Sequence, residues 1–278
     1  NYTELPTPVV DNHMIAAIKK DNGDFIFLDG TDSHCIFGVP PHSIQDKEAL
    51  VSISENEYKV VRVPVVPKEK NKLTDSTFIR LTDKGIEGDI KLTLEGYFAT
   101  DTRSDMQYVA EKDNEKYMRN LMMRGSNKFM LNKYGSVNTS DIAHIAITGT
   151  FSLDDYARKI GNEWFINMNL MKPYEHQEID FPKRKMPVEF DFRFIKKYVT
   201  VLEIPAGFKV SYLPGDKSYN NKVWGFSMKY TQSGNKLFLT QEFYNDHLLL
   251  QPGDFEAWND VLKNLFPLYK ETITLSGK

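Results

Sequence analysis

The sequence predicts an α+β fold, mainly antiparallel β sheet with two main helices, on three observations. Apolar residues alternate with polar ones in run after run, two stretches carry apolar residues at helical spacing instead, and glycine-bearing turns join strands that lack another local partner. At 41% hydrophobic and 13% aromatic, the 278 residues supply a sizeable core. A domain typically runs about 100–200 residues, so this length suggests two domains, or one and part of another.

Near the start lies a strand-like run, Asn12-His13-Met14-Ile15-Ala16-Ala17-Ile18, then a turn at Asp21-Asn22-Gly23-Asp24 and a second run, Phe25-Ile26-Phe27-Leu28-Asp29-Gly30-Thr31. Pairing Lys20 with Asp24 across the turn puts His13 opposite Thr31, within one or two positions of Asp29. Side chains two apart across a strand pair still meet on one face. Pro64 and Pro67, followed by Lys68-Glu69-Lys70-Asn71-Lys72, mark a boundary that divides the chain into residues 1–66 and 67–278.

Beyond it, Ile90, Leu92 and Leu94 alternate with Lys91, Thr93 and Glu95. Met106, Val109, Tyr117, Leu121 and Met122 predict a helix across residues 104–124 that stops at Gly125. Ile145, Ile147 and Phe151 share one parity, and a short helical reading covers residues 153–159. Trp164, Ile166, Met168 and Leu170 form another alternating run, preceded by a turn around Gly161. Pro173 to Pro187 is a polar interruption, read as a loop or an internal break, after which Val188, Phe190, Phe192 and Phe194 alternate again. Trp224, Phe226, Met228 and Tyr230 lead through Ser233-Gly234-Asn235 into Leu237, Leu239, Gln241 and Phe243, which reads as a hairpin. Asp254 is placed to cap a helix whose Phe255, Trp258, Val261, Leu262, Leu265 and Phe266 form one side.

Composition removes several function classes. Formal net charge is −3 with acids and bases interleaved, so no basic stripe points to nucleic acid or to an anionic membrane surface. No apolar stretch approaches the roughly 20 residues of a bilayer span. With one cysteine, Cys35, no disulfide forms within the chain. His34 and His42 flank Cys35, but nothing has the spacing of a zinc site. Asp101, Asp105, Asp154 and Asp155 lack a calcium-loop pattern and read as surface carboxylates. Phosphate-loop and nucleophile-elbow motifs are absent, and neither a metal nor a cofactor is expected.

What remains is the pair His13 and Asp29. A carboxylate that holds an imidazole fixes its tautomer and stabilises the imidazolium formed when a nucleophile gives up its proton. The strings that carry this pair, together with Phe37-Gly38-Val39-Pro40, resemble the second half of a bacterial transglutaminase-like domain. In that papain-like superfamily the His and Asp of a Cys–His–Asp triad sit on successive strands. The resemblance matches His13 to the triad His and Asp29 to the triad Asp. Ile204-Pro205-Ala206-Gly207-Phe208-Lys209-Val210 and Leu213-Pro214, with the late hairpin and closing helix, resemble the β-rich region that follows this core in one group of these proteins.

One part is missing from the pattern. The superfamily's Cys lies upstream of the His, at the start of a helix whose dipole favours the thiolate. None of the residues before His13 is Cys, and Cys35 follows the Asp. The sequence therefore reads as a fragment of a cysteine hydrolase or acyltransferase acting on peptide or amide substrates, inactive alone, with its nucleophile in a missing N-terminal half. Its alternative is a non-catalytic β-rich binding or assembly module for protein or glycan; a third reading makes Cys35 itself the nucleophile. The resemblance also implies an exported, periplasmic or cell-surface protein. Residues 1–60 would then be strands of an incomplete core, and an uncovered face bearing Ile15, Ile18, Phe25 and Phe27 leads us to expect a homodimer or another packed contact there.

Overall fold

The computed structural model describes residues 13–31, 33–138 and 140–277. Strands β1 (Ala16–Lys19) and β2 (Phe25–Leu28) form the first hairpin, with Ala16 opposite Leu28 and Lys19 opposite Phe25. The Lys20 amide donates to the Asp24 carbonyl, so the register follows from the closure counted in the sequence. A second hairpin, β3 (Glu48–Ser54) with β4 (Glu57–Arg62), packs against it. Phe25, Phe27 and Val63 are the buried centre of this region, with Ile15, Ile44, Ala49, Val51 and Val61 around them. Of the four apolar side chains expected on an uncovered face, Phe25 and Phe27 are therefore buried, Ile15 is half-buried and Ile18 is exposed.

The remainder begins with β5 (Lys72–Thr82), β6 (Gly85–Glu95), helices α1 (Tyr97–Tyr108) and α2 (Asn114–Met122), β7 (Phe129–Asn138) and β8 (His144–Asp154). There follow β9 (Arg158–Ile160), β10 (Glu163–Ile166), β11 (Val188–Glu189), β12 (Phe194–Glu203) and β13 (Phe208–Tyr212). Then come β14 (Lys217–Asn220), β15 (Trp224–Ser233), β16 (Lys236–Asn245), β17 (Leu249–Leu250), α3 (Phe255–Leu265) and β18 (Ile273–Gly277). Eight strands make one sheet in the order β14-β15-β16-β12-β5-β6-β8-β7, and β13-β18-β10-β9 make a second. A core containing Trp224, Phe243, Phe255, Trp258 and Leu275 runs between these elements.

These observations correct the predicted α+β class. The fold is mostly β, its large sheet is mixed, and three α-helices lie among the described residues. The mixed character comes from β12, which lies parallel to β5 with Val199 opposite Ser76. Period-two alternation reports which face of a strand is buried but carries no sign of its direction, so this long-range pairing was invisible in the pattern. The single helix predicted over residues 104–124 is two helices. Val109 leaves helical geometry at φ −70°, ψ 123°, and a 3-10 turn at Glu111–Asp113 separates α1 from α2. Met106 therefore belongs to α1, and Tyr117, Leu121 and Met122 belong to α2, with Val109 outside both. Gly125 does follow the second of them, in the left-handed region at φ 71° that a glycine tolerates.

Residues 153–159 are not helical: Leu153 and Asp154 end β8, and Asp155 turns the chain at φ 57°. Helix α3 buries Phe255, Trp258, Val261, Leu262 and Leu265, but Asp254 makes no capping hydrogen bond and its carboxylate meets Lys222 instead. The polar stretch 173–187 lies partly on the core: Tyr174 packs against Trp224, and the Gln177 carbonyl accepts from the Trp258 indole at 3.0 Å.

Candidate functional site

His13 lies three residues before β1 and Asp29 one residue after β2, so the hairpin brings both to its open end. His13 Nε2 is 2.8 Å from Asp29 Oδ2. The other carboxylate oxygen, Oδ1, accepts from the Thr31 amide at 3.0 Å and the Thr31 hydroxyl at 2.7 Å. The carboxylate is thus held on both sides: its side chain is 10% exposed, against 39% for His13. Burial pushes the Asp29 carboxyl up, but the two Thr31 hydrogen bonds, with the bond and charge of His13, outweigh it and leave the carboxyl below its ordinary value.

A carboxylate only accepts, so the hydrogen between His13 and Asp29 sits on Nε2. In the neutral ring that choice leaves a lone pair on Nδ1, which has no hydrogen-bond partner among the described residues. Such an imidazole can take a proton at Nδ1 while the carboxylate stabilises the resulting cation.

The segment after Asp29 leads away to helix α1. Ser33 Oγ donates to Gln107 Oε1 at 3.2 Å, and the Tyr97 hydroxyl donates to the Pro40 carbonyl. His42 packs edge-on against Tyr97 and Phe192, and its Nε2 is 3.8 Å from Asp101 Oδ1. Burial raises the Asp101 carboxyl to about 6, with His42 opposing the rise and Asp191 and Asp105 adding to it. This second polar cluster joins residues far apart in the chain, and no local motif in the sequence marked it. Among the described residues, no group of three or more His, Cys, Asp or Glu is placed to hold a metal ion.

Two open depressions lie elsewhere. One of about 690 Å³ is lined by Arg80, Glu203, Pro205, Gly207, Phe208 and Gln232; the other, about 670 Å³, by Phe78, Asp89, Lys91, Tyr134, Thr148 and Thr150. His13 and Asp29 line neither. No helix among the described residues is long and apolar enough to cross a membrane.

Residues 162–275 match a family model. Its description is a domain of unknown function with a solved structure, DUF3858, and the match lies wholly outside the His13–Asp29 hairpin. No curated protein matches the chain. Among solved structures, the chain is similar to a protein from Parabacteroides distasonis that is provisionally named a protease, at 8% identity and a TM-score of 0.44. That similarity covers 92% of this chain and 34% of the other, so the chain spans about a third of the length of that protein.

Proposed function

We propose that this chain is the C-terminal part of a transglutaminase-like cysteine hydrolase or acyltransferase, with His13 as general base and acid and Asp29 as the group that orients it. The observation that carries the reading is the 2.8 Å contact of Asp29 with His13 Nε2, which directs the basic Nδ1 away from the carboxylate. In the proposed reaction His13 Nδ1 takes the proton of a cysteine thiol, and the thiolate sulfur bonds to the carbonyl carbon of an amide. The C–N bond then breaks as His13 returns the proton to the departing amine, and water or a second amine cleaves the thioester.

The nucleophile in this reading is a cysteine in a preceding half of the parent protein, and substrates are peptides or amides. Export to the periplasm or cell surface belongs to the same proposal. The uncovered outer side of β1, where Ile18 and the neighbouring Met14 are exposed, is where that half, or a second copy, would pack.

The test uses the parent protein with its upstream region. We expect amide hydrolysis, or transfer of the acyl group to hydroxylamine, with His13→Ala lowering kcat by about 10²–10⁴-fold. Turnover that survives His13→Ala unchanged would remove His13 from the reaction and sink this reading; a parent without an upstream Cys and without turnover would leave the non-catalytic module that binds protein or glycan.

A further inference from the structure

We infer that helix α1 is the platform on which the Asp29-bearing segment is set, so that the sheet region controls the geometry of the His13–Asp29 pair, with Tyr97 and Gln107 as positioning residues. The inference rests on the reading of that pair as a catalytic dyad and assigns the sheet region a role in it.

The described residues between Thr31 and Gln45 form little regular secondary structure. Among them the regular structure is one 3-10 turn, His42–Ile44; Phe37 is 74% exposed, Ile36 and Val39 are half-buried, and Ile44 packs at the edge of the small core. The segment's fixed points are contacts to other elements. Near the start, Ser33 donates to Gln107 near the end of α1. Further on, the Pro40 carbonyl accepts from the Tyr97 hydroxyl at the beginning of α1, and the His42 ring packs on Tyr97 and on Phe192. Gln45 closes the run, its side-chain amide reaching the Asp191 carbonyl at 3.4 Å and its oxygen accepting from the Val66 amide at 2.7 Å. The segment is therefore tied near both ends of α1 and again beyond it.

The first turn of helix α1 is itself bonded to the sheet region. The Tyr97 amide donates to Asn71 Oδ1 at 3.1 Å, and the Asn71 amide group donates in turn to the Arg193 carbonyl at 2.9 Å. Asn71 is buried, and Ala99 packs into the main core. The Gly96 amide adds a bond to the Ala143 carbonyl. A carboxylate whose orientation depends on Thr31, followed four residues after Asp29 by a tether to helix α1, takes its place from that helix. Dyad precision is otherwise hard to explain in a region with so small a core, because a site is only as well placed as the shell that supports it.

The experiment compares the chain with the double variant Tyr97→Phe/Gln107→Ala, which removes both side-chain tethers and keeps the aromatic ring. The readouts are amide hydrogen exchange at Thr31 and the ¹⁵N shifts of the His13 ring, which report its tautomer. We expect Thr31 exchange to rise about tenfold or more, the loss of two hydrogen bonds, with the amides of β5–β8 unchanged and the Nε2–H tautomer no longer dominant. Gln107→Ala alone, on an exposed side chain, gives a smaller rise in the same direction and serves if the double variant unfolds. Thr31 exchange within about twofold of the parent chain in a folded variant would overturn the platform. The dyad reading fails separately, if the unaltered chain lacks the Nε2–H tautomer at neutral pH.

Discussion

Around Trp224 and Trp258, whose rings stack at 4.8 Å, the sheet region buries aromatic side chains in layers, from Tyr174 and Phe243 to Phe190. Among the described residues, the small core of the N-terminal hairpins centres on Phe25, Phe27 and Val63. The polar groups of the two regions differ in the same sense. Arg124 and Asp75 meet inside the sheet region with side chains 1% and 5% exposed, while the His13 ring stands 39% exposed at the end of a four-residue strand pair. In the proposed reaction the groups that move the proton thus lie in the less cohesive region, where a substrate and a nucleophile would reach them. Regions with few buried apolar contacts open most readily, so precision there depends on hydrogen bonds and on neighbouring elements.

The largest effect that would sharpen this contrast is expected at Asp75. Arg124 bonds both its carboxylate oxygens, at 2.9 and 3.2 Å, and also donates to Thr77 and to the Met122 carbonyl. Asp75→Ala leaves a buried guanidinium without its counter-charge and should cost about 3–5 kcal/mol in denaturant unfolding. A loss under about 1 kcal/mol would mean that water reaches this pair and that the two regions differ less than the packing implies.

Phe27→Ala comes next. It removes one of the buried rings of the small core and should cost about 3 kcal/mol, felt locally. Hydrogen exchange should show amides of β1 to β4 losing protection while β5, β6 and β8 keep theirs. Equal loss in both regions would break the comparison, since the chain would then open as one unit.

The smallest effect concerns the junction. Asp101 has its carboxyl raised to about 6 by burial, so the folded state favours the neutral acid over the unfolded chain. The sign follows: folding is penalised above about pH 6, and the penalty is relieved as pH falls from there toward the ordinary carboxyl range. Asp101→Asn should flatten this part of the stability–pH curve. The side chain is 41% exposed, so solvent damps the change. An unaltered curve between pH 4 and 7 would place the carboxylate in water rather than in the seam.

Legibility followed range. The turn at Asn22-Gly23 and the length of the runs beside it set the first hairpin's register, because a short hairpin closes on itself and each pairing determines the next. The same holds for Trp224–Ser233 with Lys236–Asn245, joined through Gly234 at φ 58°. Thr31's hold on Asp29 was also local, yet nothing in the spacing singled out that hydroxyl from other turn residues. The break at Val109 was missed because apolar spacing on either side mimicked one continuous helix.

By itself, the sequence determined the alternating faces, the hairpin turns, the apolar side of α3 and the nearness of His13 to Asp29, since each depends on residues close together in the chain. Only the tertiary structure decided that β12 runs parallel to β5, that Arg124 finds Asp75 inside the sheet, and that Tyr97 and Gln107 meet the segment beyond Asp29. Those contacts join distant parts of the chain. Their geometry is fixed by competition among many possible partners for burial and hydrogen bonds, and a residue's immediate neighbours carry no record of its outcome.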